Sequence, residues 1–87
     1  MKLIQLDKNV IEDLSYWAKT DSKILRKIIE LIADTAQNPF SGLGKPEPLK
    51  YEWKGYWSKR ITDEHRLIYK VTDTFVIFAS AKFHYSK

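Results

Sequence analysis

Two sets of residues in this chain have the types and spacing to do chemistry. Glu47 stands between Pro46 and Pro48. Prolines on both sides hold the nearby backbone extended and push the carboxylate off the chain with little freedom. Most loop carboxylates are plain solvated surface, so Glu47 matters only if something faces it. The second set is cationic: Arg60, Arg66, Lys70, Lys82 and His84, spread over the segments expected to form strands. Cations that keep aromatic and hydroxyl neighbours can hold phosphates and stack bases. The competing explanation is scattered charge on a solvated sheet face.

Strand alternation decides which of these side chains can meet. Strands are expected at Tyr51 to Lys54, Tyr56 to Thr62, His65 to Thr72 and Thr74 to Tyr85, with breaks at Gly55, Asp63-Glu64 and Thr72-Asp73. In the last strand Phe75, Ile77, Ala79, Ala81 and Phe83 are assigned to the core, and Val76, Phe78, Ser80, Lys82 and His84 to the other face. Leu67, Tyr69 and Val71 point inward and Arg66, Ile68 and Lys70 outward; Trp57 and Ile61 point inward and Tyr56, Ser58, Arg60 and Thr62 outward. Strict alternation puts His84 outward and Tyr85 inward.

The N-terminal half supplies a support for that sheet. Lys2 to Leu6 reads as a short strand, and Asp7 is placed to cap a helix with Val10, Ile11, Leu14 and Trp17 on one face. Thr20-Asp21 starts a longer helix that buries Ile24, Leu25, Ile28, Leu31, Ile32 and Thr35 and closes at Asn38-Pro39. Arg26 and Glu30, an i,i+4 pair, read as solvated decoration. From Asn38 to Lys50 all three prolines and two of the three glycines form one long loop. The expected fold is α+β: a two-helix hairpin packed on one face of a four- to five-stranded, mainly antiparallel sheet, in a single domain spanning residues 1–87.

Composition narrows the function classes. The chain has 87 residues, and with 44% hydrophobic and 14% aromatic residues it has ample material for one core. It has no cysteine, so disulfides and thiolate metal sites are excluded. No signal-like leader or apolar run of about 20 residues is present, which points to the cytoplasm and away from membranes. The net charge of +4 is unevenly distributed. Lys2, Lys8, Lys19, Lys23, Arg26 and Lys27 balance Asp7, Glu12, Asp13, Asp21, Glu30 and Asp34 up to residue 43, so the excess lies beyond it and a polyanion is the natural partner. The neutral N-terminal half also weighs against using the helix hairpin as a DNA-reading helix-turn-helix.

His65 and His84 lack metal-ligand spacing and supporting carboxylates, so no metal or other cofactor is expected; His65 reads as structural, and Tyr16 and Trp17 as packing. A non-catalytic RNA- or ribosome-binding module would use the same basic face.

Three motifs go further: Gly-Lys-Pro-Glu-Pro-Leu-Lys at 44–50, Gly-Tyr-Trp-Ser-Lys-Arg-Ile-Thr-Asp-Glu-His-Arg-Leu-Ile-Tyr at 55–69, and Lys-Phe-His-Tyr at 82–85. In these the chain resembles the YoeB/Txe group of RelE-like toxins, in the RelE/ParE superfamily, which are ribosome-dependent mRNA endonucleases of bacterial toxin-antitoxin modules. The resemblance implies a RelE-like microbial ribonuclease fold and metal-independent cleavage by attack of a ribose 2′-hydroxyl on the adjacent phosphodiester. It assigns catalytic roles to Glu47, Arg66, His84 and Tyr85, and supporting RNA contacts to Lys50 and Arg60. Lys82, beside His84 on the basic face, joins the RNA-binding set. It further implies a YefM/Axe-type antitoxin, the ribosome and mRNA as partners, with a homodimer as an open possibility. Ser86 and Lys87 follow the His-Tyr pair at which members of the group commonly end.

Overall fold

The computed structural model describes residues 1–83. In chain order these form β1 (Leu3–Leu6), α1 (Lys8–Thr20), α2 (Ser22–Gln37), β2 (Glu47–Pro48), a 3-10 turn (Tyr51–Trp53), β3 (Tyr56–Arg60), β4 (Arg66–Val71) and β5 (Phe75–Ser80). The sheet runs β1-β5-β4-β3-β2, with β1 parallel to β5 and the other neighbours antiparallel. The expected α+β architecture is therefore present, with the N-terminal strand at one edge and a two-residue strand cut from the long loop at the other.

The two helices are separated by a single residue that serves both. Asp21 Oδ1 accepts from the backbone N–H groups of Lys23 and Ile24 at 3.1 and 3.3 Å, which caps α2. Asp7 sits in the cap position of α1 in extended conformation, but its side chain makes no capping bond there. One face of α1 buries Val10 and Trp17, and α2 buries Ile28, Leu31, Ile32, Thr35 and Ala36. Ile11 does not join them: it is half exposed, because the buried stripe on α1 is narrower than its apolar pattern suggested. The helices cover Ile61, Leu67, Tyr69, Val76, Phe78 and Ala81 of the sheet side. Fully burying each large aliphatic side chain contributes about 1.5–3 kcal/mol, so this face supplies most of the driving force for folding.

The assignment of β5 to faces is corrected by the structure. Val76 and Phe78 are in the core, whereas Phe75 and Ile77 are only half-buried on the other face. Tyr69 pairs with Phe78 and Ile68 with Ser80, so Ala79 has no opposite number. An unopposed residue reverses the alternation for everything on its far side. Ala81 and Ser80 thus keep their expected sides while residues 75–78 exchange theirs. The strand also stops at Ser80, and Phe83, assigned to the core, is 52% exposed. Likewise Tyr51–Trp53 is a 3-10 turn and not a strand. Tyr51 has φ 58°, a left-handed conformation that cannot continue a strand.

Beneath the loop from Asn38 to Lys50 is a buried polar tie. Lys59 shares the inward parity of Trp57 and Ile61, and its side chain is fully buried. Its ammonium lies 3.1 Å from Asp34 Oδ2 and donates to the Asn38 carbonyl at 3.1 Å. Asp34 also accepts from the Leu43 N–H at 3.0 Å, and the Tyr69 hydroxyl donates to the Pro39 carbonyl at 2.6 Å. The end of α2, the first half of the loop and the centre of the sheet are joined by these four bonds.

Candidate active site

The face of the sheet away from the helices carries a row of directly opposed residues, Glu47, Ser58, Ile68 and Ser80, and two residues along, the pair Arg60 and Arg66. Opposed residues in an antiparallel ladder project to the same side. Glu47 therefore shares a face with both arginines. Strands two apart lie roughly 10 Å from each other, a gap that a Glu and an Arg side chain can close around a phosphodiester. A recess of ≈ 300 Å³ occupies this position, lined by Lys45, Pro46, Glu47, Ser58, Arg60 and Arg66.

Local backbone rules hold the rim in place. Gly44 has φ +83°, and a Cβ there would come within 2.9 Å of Lys59 Cβ, so the chain can pass this close to β3 only as glycine. The Gly44 carbonyl accepts from the Arg60 N–H at 2.6 Å. Lys45 follows in the left-handed region with φ 51°, a conformation unusual for a residue with a side chain. Pro46 then returns the chain to an extended path, where Glu47 pairs with Ser58. Leu49, buried, anchors the far end, its N–H donating to the Tyr56 carbonyl at 2.9 Å.

Arg66 is oriented by main-chain oxygens. Its Nη1 donates to the carbonyls of Thr62, Asp63 and His65 at 2.7, 3.0 and 3.1 Å. One nitrogen of the fork is thus committed to the turn between β3 and β4. The other guanidinium N–H groups make no hydrogen bond among the described residues and can meet an anion. Among the described residues neither Glu47 nor Lys45, Arg60 or Arg66 takes part in an ion pair. The recess holds three cations and one carboxylate without internal neutralisation, an arrangement suited to a bound phosphate.

The segment that leads out of β5 is fastened to the same turn. The Ala81 N–H donates to Asp13 Oδ2 at 2.9 Å and the Trp17 indole to the Ala81 carbonyl at 3.0 Å. Next, the Phe83 N–H donates to His65 Nδ1 at 2.8 Å, and the Arg66 N–H donates to the Phe83 carbonyl at 3.1 Å. His65 packs edge-on against the Trp17 ring, 4.7 Å between centroids. It is a buried structural histidine, as expected from the sequence.

Of the residues singled out from sequence, the recess brings together Glu47, Arg60 and Arg66. Lys50 is exposed, in the cap position of the 3-10 turn, and does not line it. Lys82 sits 3.7 Å over the Tyr16 ring of α1, engaged at a different place. His84 and Tyr85 lie outside the described residues. Lys45 and Ser58 line the recess but were not singled out. Ser58 was legible, since it shares the outward parity of Arg60; Lys45 carried no signal beyond its place in the motif around Glu47. Among the described residues no three His, Asp or Glu side chains are grouped to hold a metal ion.

Residues 6–85 match the family described as the YoeB-like toxin of bacterial type II toxin-antitoxin systems. The chain belongs to this family. The toxin YoeB of Escherichia coli strain K12 is 52% identical over 85 residues, 98% of this chain and 100% of that protein. The solved YoeB/ParE toxin from Agrobacterium tumefaciens superposes with a TM-score of 0.90 at 41% identity, covering 98% of this chain and 100% of that one. A third member, YoeB of Staphylococcus aureus, has been solved as a dimer (TM-score 0.86, 41% identity, 97% and 98% of the two chains). It is also known in a heterotetrameric YoeB-YefM toxin-antitoxin complex (TM-score 0.85, 41% identity, 98% and 99%). The RelE-like fold expected from the motifs is thus the fold of the family, and this chain is a type II toxin. No helix among its described residues is long and apolar enough to cross a membrane.

Proposed function

We propose that this toxin is a ribosome-dependent mRNA endoribonuclease whose site is the recess between β2 and the β3–β4 ladder. One observation carries the reading: a proline-flanked carboxylate, Glu47, shares a recess with Arg60 and Arg66, and none of the three is neutralised by an ion pair among the described residues. A base with free cations around it suits phosphodiester transesterification.

In this mechanism Glu47 takes the proton of a ribose 2′-hydroxyl as that oxygen attacks the adjacent phosphorus. The bond from phosphorus to the 5′-oxygen breaks, and His84, as imidazolium, protonates the departing oxygen. The products are a 2′,3′-cyclic phosphate and a 5′-hydroxyl. Arg66 holds the non-bridging oxygens as charge builds on them, Arg60 and Lys50 add positive potential, Tyr85 stacks on a base beside the cut, and Lys82 binds the RNA. Placement of Arg66 by three carbonyls supports its role, because a fixed donor need not reorganise when charge develops. The hydrogen bond between Phe83 and Arg66 supports that of His84, the next residue in the chain.

A YefM/Axe-type antitoxin is the inferred inhibitor and a homodimer the inferred assembly, by similarity to the Staphylococcus aureus protein. The chain acts as one domain in the cytoplasm, where ribosomes are. The deciding experiment incubates translating ribosomes with wild-type toxin and with Glu47→Ala. Wild type should leave cyclic-phosphate ends on the mRNA, and the variant should cut about 100-fold more slowly or less. Undiminished cutting by Glu47→Ala, or cleavage without cyclic-phosphate ends, would overturn the mechanism. Ribosome binding with no cleavage would mark a non-catalytic binding module.

A further inference from the structure

Although residues 1–43 are neutral in sum, the cations of α2 are not spread around it. Lys23, Arg26, Lys27 and Glu30 follow the i, i+3, i+4, i+7 spacing of a single helix face, all are exposed or half-exposed, and together they line a shallow groove of ≈ 240 Å³. The Arg26–Glu30 pair expected from spacing is not formed within 4 Å, and no member of the four makes an ion pair among the described residues.

An adjoining depression lies between this groove and the recess that holds Glu47. This depression, ≈ 350 Å³, is lined by Lys27, Gly44, Lys45, Arg60, Ile61, Thr62 and Asp63. It shares Lys45 and Arg60 with the recess that holds Glu47, and it shares Lys27 with the groove on α2. Three concavities therefore lie in succession, each bordered by basic side chains that it shares with the next. Along this path run Arg66, Arg60, Lys45, Lys27, Lys23 and Arg26, against Glu47, Asp63 and Glu30. Beyond the recess itself, cations outnumber carboxylates, and a chain of phosphates is the ligand with matching charge and length.

Resting on the nuclease reading of the recess, we infer that the RNA strand cut there continues across the Lys45–Lys27 depression onto α2, where Lys27, Lys23 and Arg26 hold its phosphates. This is a sequence-independent exosite. It lengthens the footprint of the enzyme on its substrate without touching the scissile group, and it enlists the half of the chain whose net charge gave no hint of nucleic acid.

Binding of 2′-O-methyl RNA tests this, because that RNA keeps the phosphates but lacks the attacking hydroxyl. Fluorescence anisotropy would compare a short oligomer that only fills the recess with versions extended at the 5′ or the 3′ end. On wild-type toxin one extension should tighten binding at least about tenfold and steepen the salt dependence. The triple variant Lys23→Gln, Arg26→Gln, Lys27→Gln should lose that gain, flatten the salt slope by about two and bind the short oligomer as before. An extension that gains nothing, or a gain that survives in the triple variant, overturns the exosite. If a poly-glutamate peptide of equal charge removes the gain as efficiently as RNA, the surface serves acidic peptides and the proposal also fails. Failure of the nuclease reading looks different: the short oligomer would bind equally well to Arg66→Ala, while the extension and α2 cations would still matter.

Discussion

The ammonium of Lys59, with no exposed side-chain surface, sits 3.1 Å from Asp34 Oδ2, while the Asp34 side chain keeps 21% of its surface in water. The two ends of this ion pair are therefore unequal. Asp34→Asn strands a buried cation with only the Asn38 carbonyl and a neutral amide, and should cost about 3 kcal/mol. Lys59→Met leaves a carboxylate that water can still reach, so its penalty should be the smaller. Urea denaturation of both variants checks the order; equal losses would contradict it.

The same carboxylate sets an acid limit. Burial tends to raise the Asp34 pKa, but the Lys59 ammonium and the N–H groups of Leu43 and Asn38 outweigh it and hold the group below the usual carboxylate range. A depressed folded-state pKa means stability that is present above the unfolded value, near 4, and lost as pH falls through the folded one. Wild type should therefore lose its advantage over Asp34→Asn as the pH drops below about 4, and denaturation midpoints measured from pH 6 downward should converge.

Tyr69 gives the alkaline counterpart. Burial first, and the Asp34 charge second, raise its pKa well above the ordinary phenol value. Its contribution is complete below the unfolded pKa, near 10, and declines as pH rises toward the folded one. Tyr69→Phe loses the bond to the Pro39 carbonyl, at about 1 kcal/mol near neutrality, and should show a shallower fall in stability above pH 10 than wild type. Parallel alkaline profiles would refute the assignment.

Gly44→Ala should disturb the site as well as the fold. A methyl group would meet Lys59 Cβ and the Arg60 nitrogen while the backbone stays at φ +83°, a combined penalty of about 1–3 kcal/mol. Because this residue docks the rim that carries Glu47, cleavage should fall further than the folded fraction does. Measuring activity on the folded fraction separates the two effects, and an unchanged specific activity would argue against that docking.

Arg66→Lys keeps the charge and loses the fork. A single ammonium cannot engage three turn carbonyls and a phosphate in the geometry a guanidinium provides. The rate of cleavage should drop about 100-fold with little change in ribosome binding. Rescue by lysine would mean that charge alone suffices.

The architecture was largely legible because two periodicities carry it. The α2 stripe from Ile24 to Thr35 and the inward set Leu67, Tyr69 and Val71 are where alternation put them. Ladder alternation also predicted that Arg60 and Arg66 would share a face, and they line one recess. Four features escaped for physical reasons. Ala79 shifted the parity of half a strand without leaving a mark on composition. Tyr51 adopts a left-handed backbone that its side chain does not announce. Lys59 reads as one more surface cation until Asp34, 25 positions away, supplies its partner. The pairing of Glu47 with Ser58 was hidden in a proline-rich loop, where two residues are too few to show any period. The roles given to His84 and Tyr85 rest on residues outside the described ones.

The unopposed Ala79 acts on β5 much as a single-base insertion acts on a reading frame. Upstream of it, Val76 and Phe78 are registered to the hydrophobic interior; downstream, Ser80 and Ala81 follow the opposite phase. The two halves of the strand are thereby insulated from each other. Substitutions that repack the interior need not re-aim the chain that runs on toward His65 and Arg66, and changes in that outgoing chain need not disturb the interior. Drawing Ala79 into the ladder opposite Ile68 would couple them again, turning Ser80 into the core and Ala81 out of it.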